Sequence, residues 1–257
     1  MSISIVAAAG GWIDPVENAR VMIKAWPRVS SWIVHLLTTS GAAFSLLAAI
    51  ATADGAFVQS FLWLGVALFV DGIDGPLARL VKVDERVPWF DGAVLDLVID
   101  YSTYVFIPAL ILARSDILAP ELSVPGAILV VVVGAIYFAD TRMKTADYGF
   151  RGFPAVWNMV VFVLMAFALP TAVAAGIILV LAVLTFAPIE FVHPLRVKRL
   201  RPLTLVITFG WALFSILTLL AEMTPAPLIL IGLGTTTVYL AVIGAVLQAT
   251  RPRRTRG

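Results

Sequence analysis

The stretch DGIDGPLARLVKVDERVPWFDGAVLDLVID, residues 71 to 100, sets four carboxylates, Asp71, Asp74, Asp96 and Asp100, inside or at the edge of two strongly apolar segments. An unpaired charge in such surroundings costs several kcal/mol, so something must compensate it. On a helix turning by about 100° per residue, Asp71, Asp74 and Ala78 fall within about a sixth of a turn and point the same way. Asp96 and Asp100 are four apart and also share a face. Two such helices side by side present hard oxygen donors to one point. This suits one or two divalent cations such as magnesium or manganese better than zinc, and the chain has no cysteine to argue otherwise. A lone intramembrane aspartate would read as a proton or ion relay, and Asp84 and Asp91 read as solvated loop charges.

Composition sets the medium. The chain has 257 residues, 61% hydrophobic and 13% charged, with a mean hydropathy of +1.00, which excludes an ordinary soluble domain. It reads as an all-α polytopic membrane protein with about eight transmembrane helices, preceded by an N-terminal interfacial helix. The first ten residues are apolar but lack a basic leader and soon meet Asp14 and Glu17, so a cleaved signal peptide is not expected. Without cysteine there is no disulfide framework. The pI of about 9.1 has no basic domain behind it, and nucleic acid is not expected as a partner.

Residues 13 to 26 follow the turn-prone Asp14-Pro15 and mix apolar and charged residues at helical spacing, as a helix on the membrane surface does; Trp12, Trp26 and Trp32 suit the interface. Spans are then expected near 32–53, 58–80, 93–112, 124–139, 154–169, 170–189, 203–220 and 227–247. The chain divides into a juxtamembrane segment (1–30), a membrane domain (31–249) and a basic tail (250–257). With eight spans, the N-terminal region, the loops after the second, fourth and sixth spans, and the tail hold 17 of the 18 Lys and Arg residues, leaving only Arg114 on the other face. The positive-inside rule puts both termini and the loop at residues 81–91 in the cytoplasm, across a bacterial inner membrane. The basic cluster Arg196, Lys198, Arg199 and Arg201 serves topology and attraction to anionic lipid head groups.

The aspartates are interleaved with Gly75, Ala78, Arg79 and Gly92. Together they resemble the signature of the CDP-alcohol phosphotransferase family, D-x-x-D-G-x-x-A-R, a spacer, then G-x-x-x-D-x-x-x-D, and every fixed position is matched. The spacer departs from the common pattern, because twelve residues, LVKVDERVPWFD, separate Arg79 from Gly92. That longer spacer, the flanks VDGIDGP and IDYSTYV, and FVHPLRVKRLRPL at 191 to 203 resemble the bacterial phosphatidylcholine synthase branch. The resemblance runs from His35 to Gln248 and is weakest in the first 25 residues.

The resemblance implies a transferase that moves the phosphatidyl group of CDP-diacylglycerol onto choline and releases CMP, within membrane lipid and as a homodimer. Manganese or magnesium, as two ions, would neutralise the diphosphate. Asp71, Asp74 and Asp96 are expected as direct ligands, and Asp100 as the base that takes the proton of the attacking hydroxyl, touching one ion as well. Gly75 and Ala78 lack bulk, so either a nucleotide or a neighbouring helix fits against them. Arg79 offers a fork to phosphate, and Gly92 either serves the nucleotide site or simply opens the next helix. In the first span Thr39 and Ser40 are candidates for the diphosphate, while His35 suits either packing or substrate contact.

Choline has no N–H to donate, and aromatic faces with a nearby carboxylate are its usual partners. Tyr104, Tyr137, Trp157 and Asp140 are the candidates, with Tyr101, Phe138, Tyr148 and Glu190 also available. Two alternatives stand beside this reading. A transferase of the same family could take serine, which requires groups for both amine and carboxylate. In a different class, the aspartates could coordinate a transported cation in a small carrier gated by Arg79.

Overall fold

A computed structural model describes the backbone of residues 15–143, 150–191 and 200–250 and the side chains of most of these. The cluster Arg196, Lys198 and Arg199, the loop residues Lys144, Asp147 and Tyr148, and the tail from Arg251 lie outside the described residues, as do Trp12 and Asp14. In chain order the helices are α1 (Pro15–Ala53), α2 (Phe57–Val81), the single turn α3 (Val83–Arg86), α4 (Gly92–Asp100), a π-helical turn (Tyr101–Phe106), α5 (Ile107–Arg114), α6 (Pro120–Ala139), α7 (Trp157–Phe167), α8 (Thr171–Leu184), α9 (Arg201–Leu220) and α10 (Pro227–Ala249). The α4, π-turn and α5 segments run on as one apolar rod, Gly92–Arg114. The protein is therefore an all-α polytopic membrane protein, as its composition predicts.

Among the described residues six helical segments are long and apolar enough to cross a membrane: Val29–Ala53, Phe57–Val81, Gly92–Arg114, Pro120–Ala139, Arg201–Leu220 and Pro227–Ala249. Their outward faces carry large apolar side chains, such as Phe209 at 72% and Leu228 at 76% exposure. Such a surface is incompatible with water and matches acyl chains. The expected fifth and sixth spans are shorter than their apolar runs suggest. At 1.5 Å per residue, α7 and α8 reach only about 17 and 21 Å, below the thickness of a bilayer core of about 30 Å.

The shortening has a visible cause at the polar end of this pair. Phe150 and Arg151 form a two-residue antiparallel ladder with Phe191 and Glu190. The chain continues the pairing as Gly152 N–H donates to the Ile189 carbonyl (2.8 Å) and Phe153 N–H to the Leu184 carbonyl (3.0 Å). Backbone that would otherwise extend two helices is thus hydrogen-bonded between strands, which satisfies it without water.

The expected surface helix at 13–26 and the first span share one continuous helix from Pro15 to Ala53. Its far end is pinned to α2 by buried hydroxyls: Thr52 Oγ1 and Ser60 Oγ lie 2.8 Å apart, and both donate to the Ala48 carbonyl (2.8 and 3.0 Å). At that same end Arg114 donates to the Ala53 carbonyl (3.0 Å). At the opposite end Arg86 donates to Ser30 Oγ (3.2 Å). The rods α1 and α4–α5 therefore lie alongside each other, with the 81–91 loop over their other ends. The last pair, α9 and α10, is joined by Trp211 Nε1–H to Thr237 Oγ1 (2.9 Å) and by Thr204 Oγ1 with the Tyr239 hydroxyl (3.1 Å).

The buried core is centred where α6 meets the π-turn. Val105 is fully buried, and a Cβ placed on Gly134 of α6 would lie 2.4 Å from Val105 Cγ1 and 2.9 Å from Cγ2. Only a residue without a side chain lets α6 approach so closely. Replacing helical glycine by alanine gains about 1 kcal/mol of propensity, whereas overpacking a stiff β-branched neighbour costs about 1–3 kcal/mol. Gly134→Ala is thus expected to lower the thermal midpoint in detergent. Gly65→Ala in α2, where nothing lies within 4 Å, is expected to raise it or leave it unchanged.

Candidate metal and diphosphate site

Two helix ends build the site. α2 carries Asp71 and Asp74 in its last three turns and stops where Lys82 takes a left-handed conformation, returning its N–H to the carbonyls of Ala78 and Arg79. After α3 and the loop, Asp91 caps α4: its carboxylate accepts from the N–H groups of Ala93 (3.1 Å) and Val94 (3.0 Å). Asp91 therefore has a fixed structural task beyond that of a solvated loop charge. An aspartate directly before an apolar helical run is the sequence signal for such a cap. The cap sets where α4 begins, and so the height of Asp96 and Asp100, one and two turns further on.

The carboxylates of Asp71, Asp96 and Asp100 each bring one oxygen to within 4.8 Å of the others. Asp74, only 5% exposed and the most buried of the four, stands on the same cleft but outside that trio. The donor set is all hard carboxylate oxygen, gathered where three like charges would repel, so the residues present fit a divalent metal ion. No other side chains in the chain gather oxygen donors in this way among the described residues.

The cleft is also lined by Thr38 and Gly41 of α1 and by Thr103 of the π-turn. A Cβ on Gly41 would meet Ile99 Cγ2 at 2.6 Å, so this glycine brings α1 against α4 beside the carboxylates. Thr38, Gly41 and Thr103 were not among the expected site residues. Thr38 and Gly41 share a face at i, i+3, but only the packing of α1 shows that this face, rather than the next, meets the aspartates. The expected contacts Thr39 and Ser40 point their hydroxyls back to their own helix, to the carbonyls of His35 (2.7 Å) and Leu37 (2.6 Å). Threonine and serine in apolar helices commonly bond in this way.

Gly75 and Ala78 lie on the partly covered face of α2, and Arg79 is exposed at the helix end with Nη1 3.5 Å from where a Gly75 Cβ would be. At Gly92 a Cβ would come within 3.0 Å of His35 Cε1. His35 itself is buried, meets the Phe90 ring at a tilt with centroids 4.4 Å apart and Trp32 edge-on at 5.7 Å, and its Nε2 has no hydrogen-bond partner. Phe90 belongs to the extended spacer, which therefore packs onto α1 at the cleft's outer end.

The four aromatic and acidic acceptor candidates fall in different places. The Tyr104 hydroxyl donates to Asp71 Oδ2 at 2.7 Å. Tyr137 and Trp157 are buried in the core, and the Tyr137 hydroxyl and Trp157 Nε1 have no hydrogen-bond partner. Asp140, just beyond α6, is held by Arg142 through Nη2 at 2.6 Å and Nε at 2.8 Å. Hydrogen bonds from the Arg142 side chain, then from its backbone, lower the Asp140 carboxyl to about 2. Its charge is thus already matched.

Comparison with known proteins adds the family. No family model matches the chain. A phosphatidylcholine synthase of Rhizobium meliloti is 45% identical over 223 residues, covering 87% of this chain and 92% of that protein. One from Pseudomonas aeruginosa is 43% identical over 204 residues, covering 79% and 85%. One from Borreliella burgdorferi is 31% identical over 200 residues, covering 78% and 86%. With identity of 31–45% over 78–87% of its length, and with an aspartate cleft fit for a metal ion, the chain belongs to the phosphatidylcholine synthase family.

Proposed function

We propose that the protein transfers the phosphatidyl group of CDP-diacylglycerol to choline and releases CMP. The observation that carries this reading is the trio Asp71, Asp96 and Asp100, one oxygen of each within 4.8 Å of the others, inside two membrane-spanning segments. When bound, manganese or magnesium, as two ions, supplies the positive charge that a diphosphate requires in an apolar setting. Asp71, Asp74 and Asp96 would hold it, with Asp100 touching one ion as well. Asp100, at the inner end of the trio, accepts the proton of the choline hydroxyl as its oxygen attacks the phosphatidyl phosphorus. The bond from that phosphorus to the bridging diphosphate oxygen breaks, and the electron pair leaves with CMP. Gly75, Ala78, Gly92 and the Arg79 fork line the donor's approach.

The acceptor's quaternary ammonium calls for aromatic faces. Tyr104 is the first of these, because its side chain reaches the trio, with Tyr137, Trp157 and Asp140 as the further candidates. On the eight-span reading, the loop between α2 and α4 beside the cleft belongs to the face expected to carry 17 of the 18 Lys and Arg residues. That face is the cytoplasmic side of a bacterial inner membrane on the positive-inside rule, where water-soluble choline is delivered.

Purified protein with CDP-diacylglycerol and manganese is expected to release CMP when choline is added, and not with serine, inositol, glycerol 3-phosphate or no acceptor. Release with serine instead would keep the reaction class and overturn the acceptor. No release with any of them would return the aspartates to ion transport.

Asp100→Asn is expected to lower turnover by roughly 10²–10⁴-fold, the usual worth of a positioned general base, while CMP still protects the protein against heat. Asp71→Ala and Asp96→Ala are expected to lose turnover and CMP protection together. Full turnover in Asp100→Asn would remove it as the base, and indifference of the wild type to a chelator would remove the metal.

A further inference from the structure

The third membrane rod is not a uniform α-helix. Its backbone follows the α pattern at Tyr101, whose N–H donates to the Leu97 carbonyl, and the wider π pattern by Ile107, whose N–H reaches back five residues to Ser102. In a regular helix Tyr104 would sit about 80° around the axis from Asp96 and about 40° from Asp100. A wider turn advances each residue by less, which swings Tyr104 back toward the line of the two aspartates. The consequence is a contact to the other helix: the Tyr104 hydroxyl donates to Asp71 Oδ2 at 2.7 Å. The turn is held in place from behind, where the Tyr101 hydroxyl donates to the Val131 carbonyl of α6 (3.1 Å) and Val105 packs on Gly134.

We propose that Tyr104 is a positioning residue for the metal site, whose hydroxyl fixes the rotation of the Asp71 carboxylate toward Asp96 and Asp100. A carboxylate on a helix can turn about its side-chain bonds, and a hydrogen bond donated from a neighbouring helix restricts that turning. Partners of this kind typically change metal affinity by about 10–100-fold. The hydroxyl is donated across the cleft from α4's own rod to α2, so it also couples the two halves of the aspartate set. This role rests on the metal reading of the trio, and it leaves the ring face of Tyr104 free for the acceptor.

The test is manganese binding to the full-length protein in lipid nanodiscs without substrate, followed by the electron paramagnetic resonance signal of free Mn²⁺. Tyr104→Phe keeps the ring and removes the hydroxyl; it is expected to weaken Mn²⁺ binding by about tenfold and to lower kcat with the KM for choline unchanged. Tyr101→Phe removes a hydroxyl from the same π-turn that touches only the Val131 carbonyl, and is expected to bind Mn²⁺ as the wild type does.

Unchanged Mn²⁺ affinity in Tyr104→Phe overturns the proposal. So does an equal loss in both tyrosine variants, which would trace the effect to the stability of the turn. A wild type that binds no Mn²⁺ overturns the metal reading and this role with it, whereas CMP release that fails for lack of the right acceptor leaves Mn²⁺ binding and its dependence on Tyr104 intact.

Discussion

Three carboxylates held within 4.8 Å of one another at the edge of a hydrocarbon medium are the constraint on which the remaining structure depends. Each charge resists burial and each repels the others, so the arrangement is tolerable only with a cation or a proton among them. Proteins rarely place acidic groups in such surroundings without a function for them. The rest of the fold can be understood as the means of forcing the three together. α2 and α4 supply two turns each, Asp91 sets the starting height of α4, and Gly41 draws α1 in to close the wall.

The surrounding helices divide the work. The first three rods and α6 form a tightly approached group around the cleft, with polar anchors at both ends: Thr52 with Ser60 and Arg114 with Ala53 on one side, Arg86 with Ser30 on the other. These bonds matter in lipid because acyl chains offer no partner for an unpaired hydroxyl or carbonyl. The α9 and α10 pair, by contrast, presents broad apolar faces outward and makes its polar contacts inward through Trp211 and Thr204. None of its residues lines the aspartate cleft.

The π-turn connects packing to chemistry. Irregular turns of this type are costly within a helix and concentrate at functional sites. Here the turn lies one residue beyond Asp100, backed by Val105 against Gly134 and by Tyr101 against α6, and it delivers Tyr104 to Asp71. The orientation of a site carboxylate is thereby linked to the approach of a helix that contributes none of the trio.

The sequence by itself determined the medium, the helical class and the four aspartates, because mean hydropathy, 3.6-residue periodicity and a fixed spacing are local properties that survive without knowledge of neighbours. Family membership was legible in the same way, through Gly75, Ala78, Arg79 and Gly92. Tertiary structure alone decided the rest. It chose Thr38 and Gly41 over Thr39 and Ser40 at the cleft, because which face of α1 meets α4 depends on where a missing side chain permits contact. It shortened α7 and α8 by pairing backbone across residues far apart in sequence. It paired Tyr104 with Asp71, 33 residues away, through a π-turn that no periodicity announces, since the turn is stabilised by α6 rather than by its own residues.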